Sequence, residues 1–81
     1  MRIYICDFPT PNTARCTTAF DVNYDMSIEQ LKLQILDKYG IPCNQYYFTF
    51  NGKVINDERS FDSCGITDNA FVRFALRNIV I

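Results

Sequence analysis

One stretch, Ile28 to Gly52 (IEQLKLQILDKYGIPCNQYYFTFNG), constrains the fold more than any other part of this chain. Ile28, Leu31, Ile35 and Tyr39 recur at helical spacing, with Leu36 at the edge of the stripe, so a helix over 28–39 with one apolar face is predicted. Ser27 is a good N-cap, and Gln30 three residues later completes a capping-box pattern. Gly40 can supply the left-handed residue that ends a helix, and Pro42 prevents its resumption. Tyr46 to Phe50 is aromatic and β-rich. Asn51-Gly52 is a strong hairpin dipeptide, returning the chain through a short strand at Lys53-Val54-Ile55.

The helix must bury its stripe, a gain of roughly 1.5–3 kcal/mol for each large side chain. Lys32 falls near the middle of that stripe and must either pair or snorkel, so an acidic partner from elsewhere is expected. Leu33 points to the opposite face and should be exposed.

The flanking segments supply a sheet. Met1, Ile3 and Ile5 alternate with Arg2, Tyr4 and Cys6, the pattern of a half-buried strand. The segment from Asp7 to Thr13, with Pro9 and Pro11, reads as a loop or an extended hairpin tip. Thr17 to Asn23 resumes the alternation, with Thr18, Phe20 and Val22 on one side. Asn56 to Asn69 is polar and punctuated, with Phe61 and Ile66 as core anchors. The last long strand, Ala70 to Arg77, places Val72, Phe74 and Leu76 inward and Phe71, Arg73, Ala75 and Arg77 outward. The economical solution is an α+β domain over 1–81: a mixed sheet of four to five strands, first and last side by side, with one helix across a face.

Composition narrows the function classes. Eighty-one residues, 48% of them hydrophobic, can form one small core, whereas a disordered chain would carry fewer aromatics and more net charge. The net charge of −1 implies no global attraction to nucleic acid or membrane. Cys6, Cys16, Cys43 and Cys64 form no C-x-x-C pair, and histidine is absent, so zinc-finger spacing is missing. The N-terminus lacks a secretory h-region, so reduced thiols in the cytoplasm or nucleus are expected. Without histidine, a carboxylate pair, a phosphate-cradling glycine loop or a cysteine beside a base, no enzyme activity and no cofactor are expected.

The element order, together with DKYGIP at Asp37–Pro42, Gln45, FNGK at Phe50–Lys53 and DERS at Asp57–Ser60, resembles ubiquitin from about Met1 to Arg77. One insertion falls in the proline-containing first turn. The resemblance implies the β-grasp fold, and it implies that Asp57 is the partner of Lys32. A shorter stretch, Ser60 to Thr67 (SFDSCGIT), is similar to the corresponding loop of elongin B, an adaptor subunit of cullin-type ubiquitin ligases.

The departures from ubiquitin concern function. Val80 and Ile81 occupy the positions of the conjugating diglycine, so conjugation of the chain as it stands is not expected. Of ubiquitin's lysine positions, Lys32, Lys38 and Lys53 keep a lysine. Thr49, Arg73 and Ala75 stand where the family's recognition patch carries isoleucine, histidine and valine. Replacing isoleucine by threonine removes buried area and adds a hydroxyl that needs a partner, so weak binding to generic ubiquitin receptors is expected.

In its place the outer sheet face should carry Arg2, Tyr4, Cys6, Tyr47, Thr49, Phe71, Arg73, Ala75 and Arg77, a mixture of aromatics and arginines of the kind enriched at interface centres. The same residues also suit ordinary solvent-facing strand positions. The candidate protein-binding residues are Arg2, Tyr4, Tyr47, Thr49, Lys53, Phe71, Arg73, Ala75 and Arg77. The expected role is a non-catalytic, monomeric domain docking on a proteasome receptor or a ubiquitin-ligase subunit. Membrane is not an expected partner, and the few basic residues make nucleic acid a poor fit. The competing readings are an elongin B-like adaptor subunit and a modifier whose diglycine tail is missing.

Overall fold

The helix α1 forms over Ile28–Tyr39, where the capping signals place it. Ser27 Oγ accepts from the Gln30 N–H at 3.1 Å, and Gln30 Oε1 accepts from the Ser27 N–H at 2.8 Å. The two preceding helical N–H groups are satisfied by a distant segment: Ile28 donates to Arg59 O and Glu29 to Asp57 O, each at 3.0 Å. The first turn therefore leaves no orphan donor, and the 57–61 segment is tied to the helix it caps. Gly40 ends the helix in the left-handed conformation at φ 72°, its N–H donating to Leu36 O.

The computed structural model describes residues 1–9 and 16–77. Strands β1 (Arg2–Phe8) and β2 (Cys16–Asp21) precede α1, and β3 (Tyr46–Phe50), β4 (Lys53–Val54) and β5 (Phe71–Leu76) follow it. They form a five-stranded mixed sheet in the order β2-β1-β5-β3-β4. The first and last strands lie parallel at its centre, and the other pairs are antiparallel. With the helix on one face, this is the β-grasp arrangement that the resemblance implies. Asn51 and Gly52 both take positive φ, 53° and 77°, the geometry of a two-residue turn whose twist matches the flanking strands.

Ile3, Ile5, Val72, Phe74 and Phe48 point from the sheet into the core, where Ile28, Leu31 and Ile35 meet them. Phe61 and Ile66 are buried there as well. Leu33 is 51% exposed on the far side of the helix.

Three expectations need correction. The loop assigned from Asp7 onward begins later, because β1 runs to Phe8. Asp7 adopts φ 62° and the register with β2 shifts between Ile5 and Phe8, a bulge that inserts one residue. That extra residue turns Phe8 from the outer face to the core, where it is fully buried against Phe20, Tyr39 and Phe74. Second, Leu76 has the parity of an inward residue but is 47% exposed, because it lies at the strand's end. Third, Leu36 and Tyr39 are only partly covered, at 42% and 38% exposure, since the helix outruns the core at its C-terminal end. The expected loop residues 10–13 and the terminal Val80 and Ile81 lie outside the described residues.

Lys32 is 1% exposed, and its ammonium is 2.8 Å from Asp57 Oδ1. It also donates to Tyr46 O at 3.3 Å and lies 5.1 Å from the centre of the Tyr46 ring. The expected acidic partner is Asp57, held in place by the backbone bond between its carbonyl and Glu29.

Candidate protein-binding surface

Strand register assembles the outer face. Tyr4 lies opposite Phe71 and Cys6 opposite Arg73 on the parallel pair β1–β5. Arg73 in turn faces Thr49, and Ala75 faces Tyr47, on the antiparallel pair β3–β5. Directly opposed residues share a face, so Cys6, Arg73 and Thr49 form one row across the middle of the sheet. Val54 continues the row on β4, opposite Thr49.

The Tyr4 and Phe71 rings stack at 26° with centroids 5.2 Å apart, and Phe71 is 62% exposed. Val54 is 61% exposed. The face therefore presents apolar area at Val54, one end of the row, and at Tyr4 and Phe71, two residues along β1 and β5 from Cys6 and Arg73. Sequence reasoning passed over Val54, although the two-residue turn at Asn51-Gly52 already places it opposite Thr49.

The charges on this face are weakly paired. Arg2 Nε donates to Asp21 Oδ1 at 3.3 Å, and that hydrogen bond, with the attraction of the carboxylate, raises the guanidinium pKa above its ordinary value. Asp68 Oδ1 accepts from the Arg2 backbone N–H at 2.8 Å, fixing the start of β1. Arg73 Nη1 is 3.7 Å from Asp7 Oδ2, with both side chains substantially exposed. Such pairs contribute little to stability, which leaves both arginines free to exchange partners. Arg77 is exposed just beyond β5, its N–H donating to Gln45 O at 2.9 Å.

Of the predicted set, Tyr4, Tyr47, Thr49, Phe71, Arg73 and Ala75 come together, with Arg2 and Arg77 at the margins. Lys53 does not join them. It pairs with Phe50, so it shares the opposite parity and lines a cleft with Arg59 and Cys64. Among the described residues no group of three or more cysteine, aspartate or glutamate side chains is placed to hold a metal, and no helix is long and apolar enough to cross a membrane.

A sequence model described as the Ubiquitin family matches residues 11–79. The UV excision repair protein RAD23 homolog of Dictyostelium discoideum is 32% identical over 53 residues, which cover 65% of this chain and 16% of that protein. The matched region is thus a small part of the relative's length.

Proposed function

The chain belongs to the ubiquitin family, and from that premise we propose that it is a non-catalytic protein-interaction domain whose outer sheet face docks on ubiquitin–proteasome or ubiquitin-ligase machinery. The observation that carries the reading is the register that stacks Tyr4 on Phe71 and sets Arg73 between Cys6 and Thr49. A stacked aromatic pair beside an unburied arginine offers a partner a rigid apolar anchor and a directional cation, the two residue types that dominate binding energy at interface centres. The partner side that fits is an apolar residue flanked by carboxylates.

Docking without conjugation is part of the same proposal. At the positions of the diglycine stand Val80 and Ile81, β-branched residues in place of the glycines that transfer of a C-terminal carboxylate uses. Thr49, at the centre of the row, takes the place of the family's isoleucine, so recognition is shifted toward the Tyr4–Phe71 end.

Titration of the isotope-labelled chain with purified proteasomal ubiquitin receptors and cullin-ligase subunits tests this reading. The expected footprint covers the amides of Tyr4, Tyr47, Phe71 and Arg73. A footprint confined to α1, or none with any of these proteins, contradicts it.

A further inference from the structure

A cleft of about 320 Å³ separates the β3–β4 turn from the 3₁₀ turn at Asp62–Cys64. Its volume lies at the lower end of the range for small-ligand sites. Its lining holds two charged side chains, Lys53 and Arg59, and no carboxylate, in a chain whose net charge is −1. Asn51, Asn56 and Ser63 add neutral hydrogen-bonding groups around the same space. Cys64 is small and half-buried, and its size leaves the cleft open.

Arg59 is held in place before any ligand arrives. Its Nη2 donates to Ser63 O at 2.6 Å and its Nε to Ser63 Oγ at 3.2 Å. Ser63 Oγ in turn donates to Ser60 O at 2.9 Å, and the Ser63 N–H donates to Ser60 Oγ at 3.1 Å. A guanidinium fixed through one edge keeps its remaining donors oriented and loses little side-chain entropy on binding.

We propose that this cleft binds a phosphate monoester, with Lys53 and Arg59 as its cationic wall. Two positive charges, one of them held in place through Ser63, match a group carrying roughly −1.5 to −2 better than they match a single carboxylate. The site goes beyond the sheet-face reading. Lys53 has the opposite strand parity from the outward row, so either site can fail without the other.

The test uses the whole chain, isotope-labelled at low ionic strength, titrated separately with inorganic phosphate, a phosphoserine peptide of otherwise neutral composition, and acetate. Saturable shifts at the amides of Asn51, Lys53, Asn56 and Ser63 are expected with both phosphates, while Tyr4 and Phe71 stay silent. Tighter binding of the peptide identifies a modified side chain as the source, and equal affinities identify a free phosphate compound. Lys53→Gln, which leaves the Arg59–Ser63 bonds intact, should weaken binding about tenfold. Cys64→Leu, which fills the cleft, should abolish it in a chain whose melting temperature shows it folded. Non-saturating shifts, acetate binding as tight as phosphate, or unchanged affinity in folded Lys53→Gln would overturn the proposal.

Discussion

Tyr4 and Phe71 lie opposite each other on the central parallel strands, with ring centroids 5.2 Å apart and the Phe71 ring largely in solvent. Stacking of this kind contributes about 0.5–1.5 kcal/mol beyond the buried area. Phe71→Ser should therefore lower stability by no more than about 1.5 kcal/mol. Phe74→Ala, three residues along the same strand and fully buried on its other face, should cost about 3–5 kcal/mol. Denaturant midpoints of the two variants check the contrast. Near-equal losses would mean that Phe71 supports the fold.

The Lys32–Asp57 pair separates two costs. Asp57→Ala strands a buried ammonium, a change that costs about 3–5 kcal/mol for a fully enclosed pair. Asp57 is 40% exposed, so water reaches the site and about 2–3 kcal/mol is expected. Lys32→Met removes the charge and keeps most of the volume, so it should cost less, about 1 kcal/mol. Equilibrium unfolding of both variants should show that order. The reverse would place the value of Lys32 in its contact with Tyr46 instead of its ion pair.

Tyr46 is fully buried, and among the described residues its hydroxyl has no hydrogen-bond partner. Such a group carries a desolvation cost of about 1–3 kcal/mol, so Tyr46→Phe should raise stability by about 1 kcal/mol. Burial, ahead of the nearby Cys43 and Asp57, also pushes the Tyr46 pKa above its ordinary value of 10.0. The folded state thus holds the proton more tightly than the unfolded state. That contribution is fully present below about pH 10 and is lost as pH rises above it. Stability measured against pH should fall less steeply on the alkaline side in Tyr46→Phe. An unchanged alkaline slope would show that water reaches the hydroxyl in solution.

Thr49 shares its row with Arg73, at the two positions where the family's patch carries isoleucine and histidine. A ubiquitin-interacting helix should bind this chain at least about tenfold more weakly than it binds ubiquitin, since a buried unpaired hydroxyl alone costs about 1–3 kcal/mol. Thr49→Ile should recover part of that loss. Ordinary affinity at Thr49 in an isotope-edited titration would show that the family's recognition site survives here.

The parts of the fold legible in the sequence are those written in local chemistry. Ser27 and Gln30 cap the helix, Gly40 stops it, and Asn51-Gly52 turns the hairpin, each within a few residues of its effect. The need of Lys32 for a partner followed from helical spacing, but Asp57 came through the resemblance, because a tertiary ion pair leaves no local pattern. The bulge at Asp7 was hidden because the prolines beyond it read as the end of the strand, and Phe8 went with it into the expected loop. Of the candidate surface, Tyr4, Phe71, Arg73 and Thr49 were reachable by counting strand parity. Lys53 falls outside that surface because its pairing with Phe50 gives it the parity of the opposite face. The cleft it lines depends on Arg59 and Ser63 folding back toward the hairpin, which strand and helix periods do not encode.

On the proposed reading, partners dock on the outer sheet face at its Tyr4–Phe71 end. Quantitative capture of partners from native extract by the unaltered chain, Tyr4→Ala, Arg73→Glu and Leu33→Ala tests it most directly, with each variant first shown to be folded. The two sheet-face variants should lose the same proteasomal or ligase partners, and Leu33→Ala should retain them. Loss of partners with Leu33→Ala alone would contradict the account and move the docking surface to the helix.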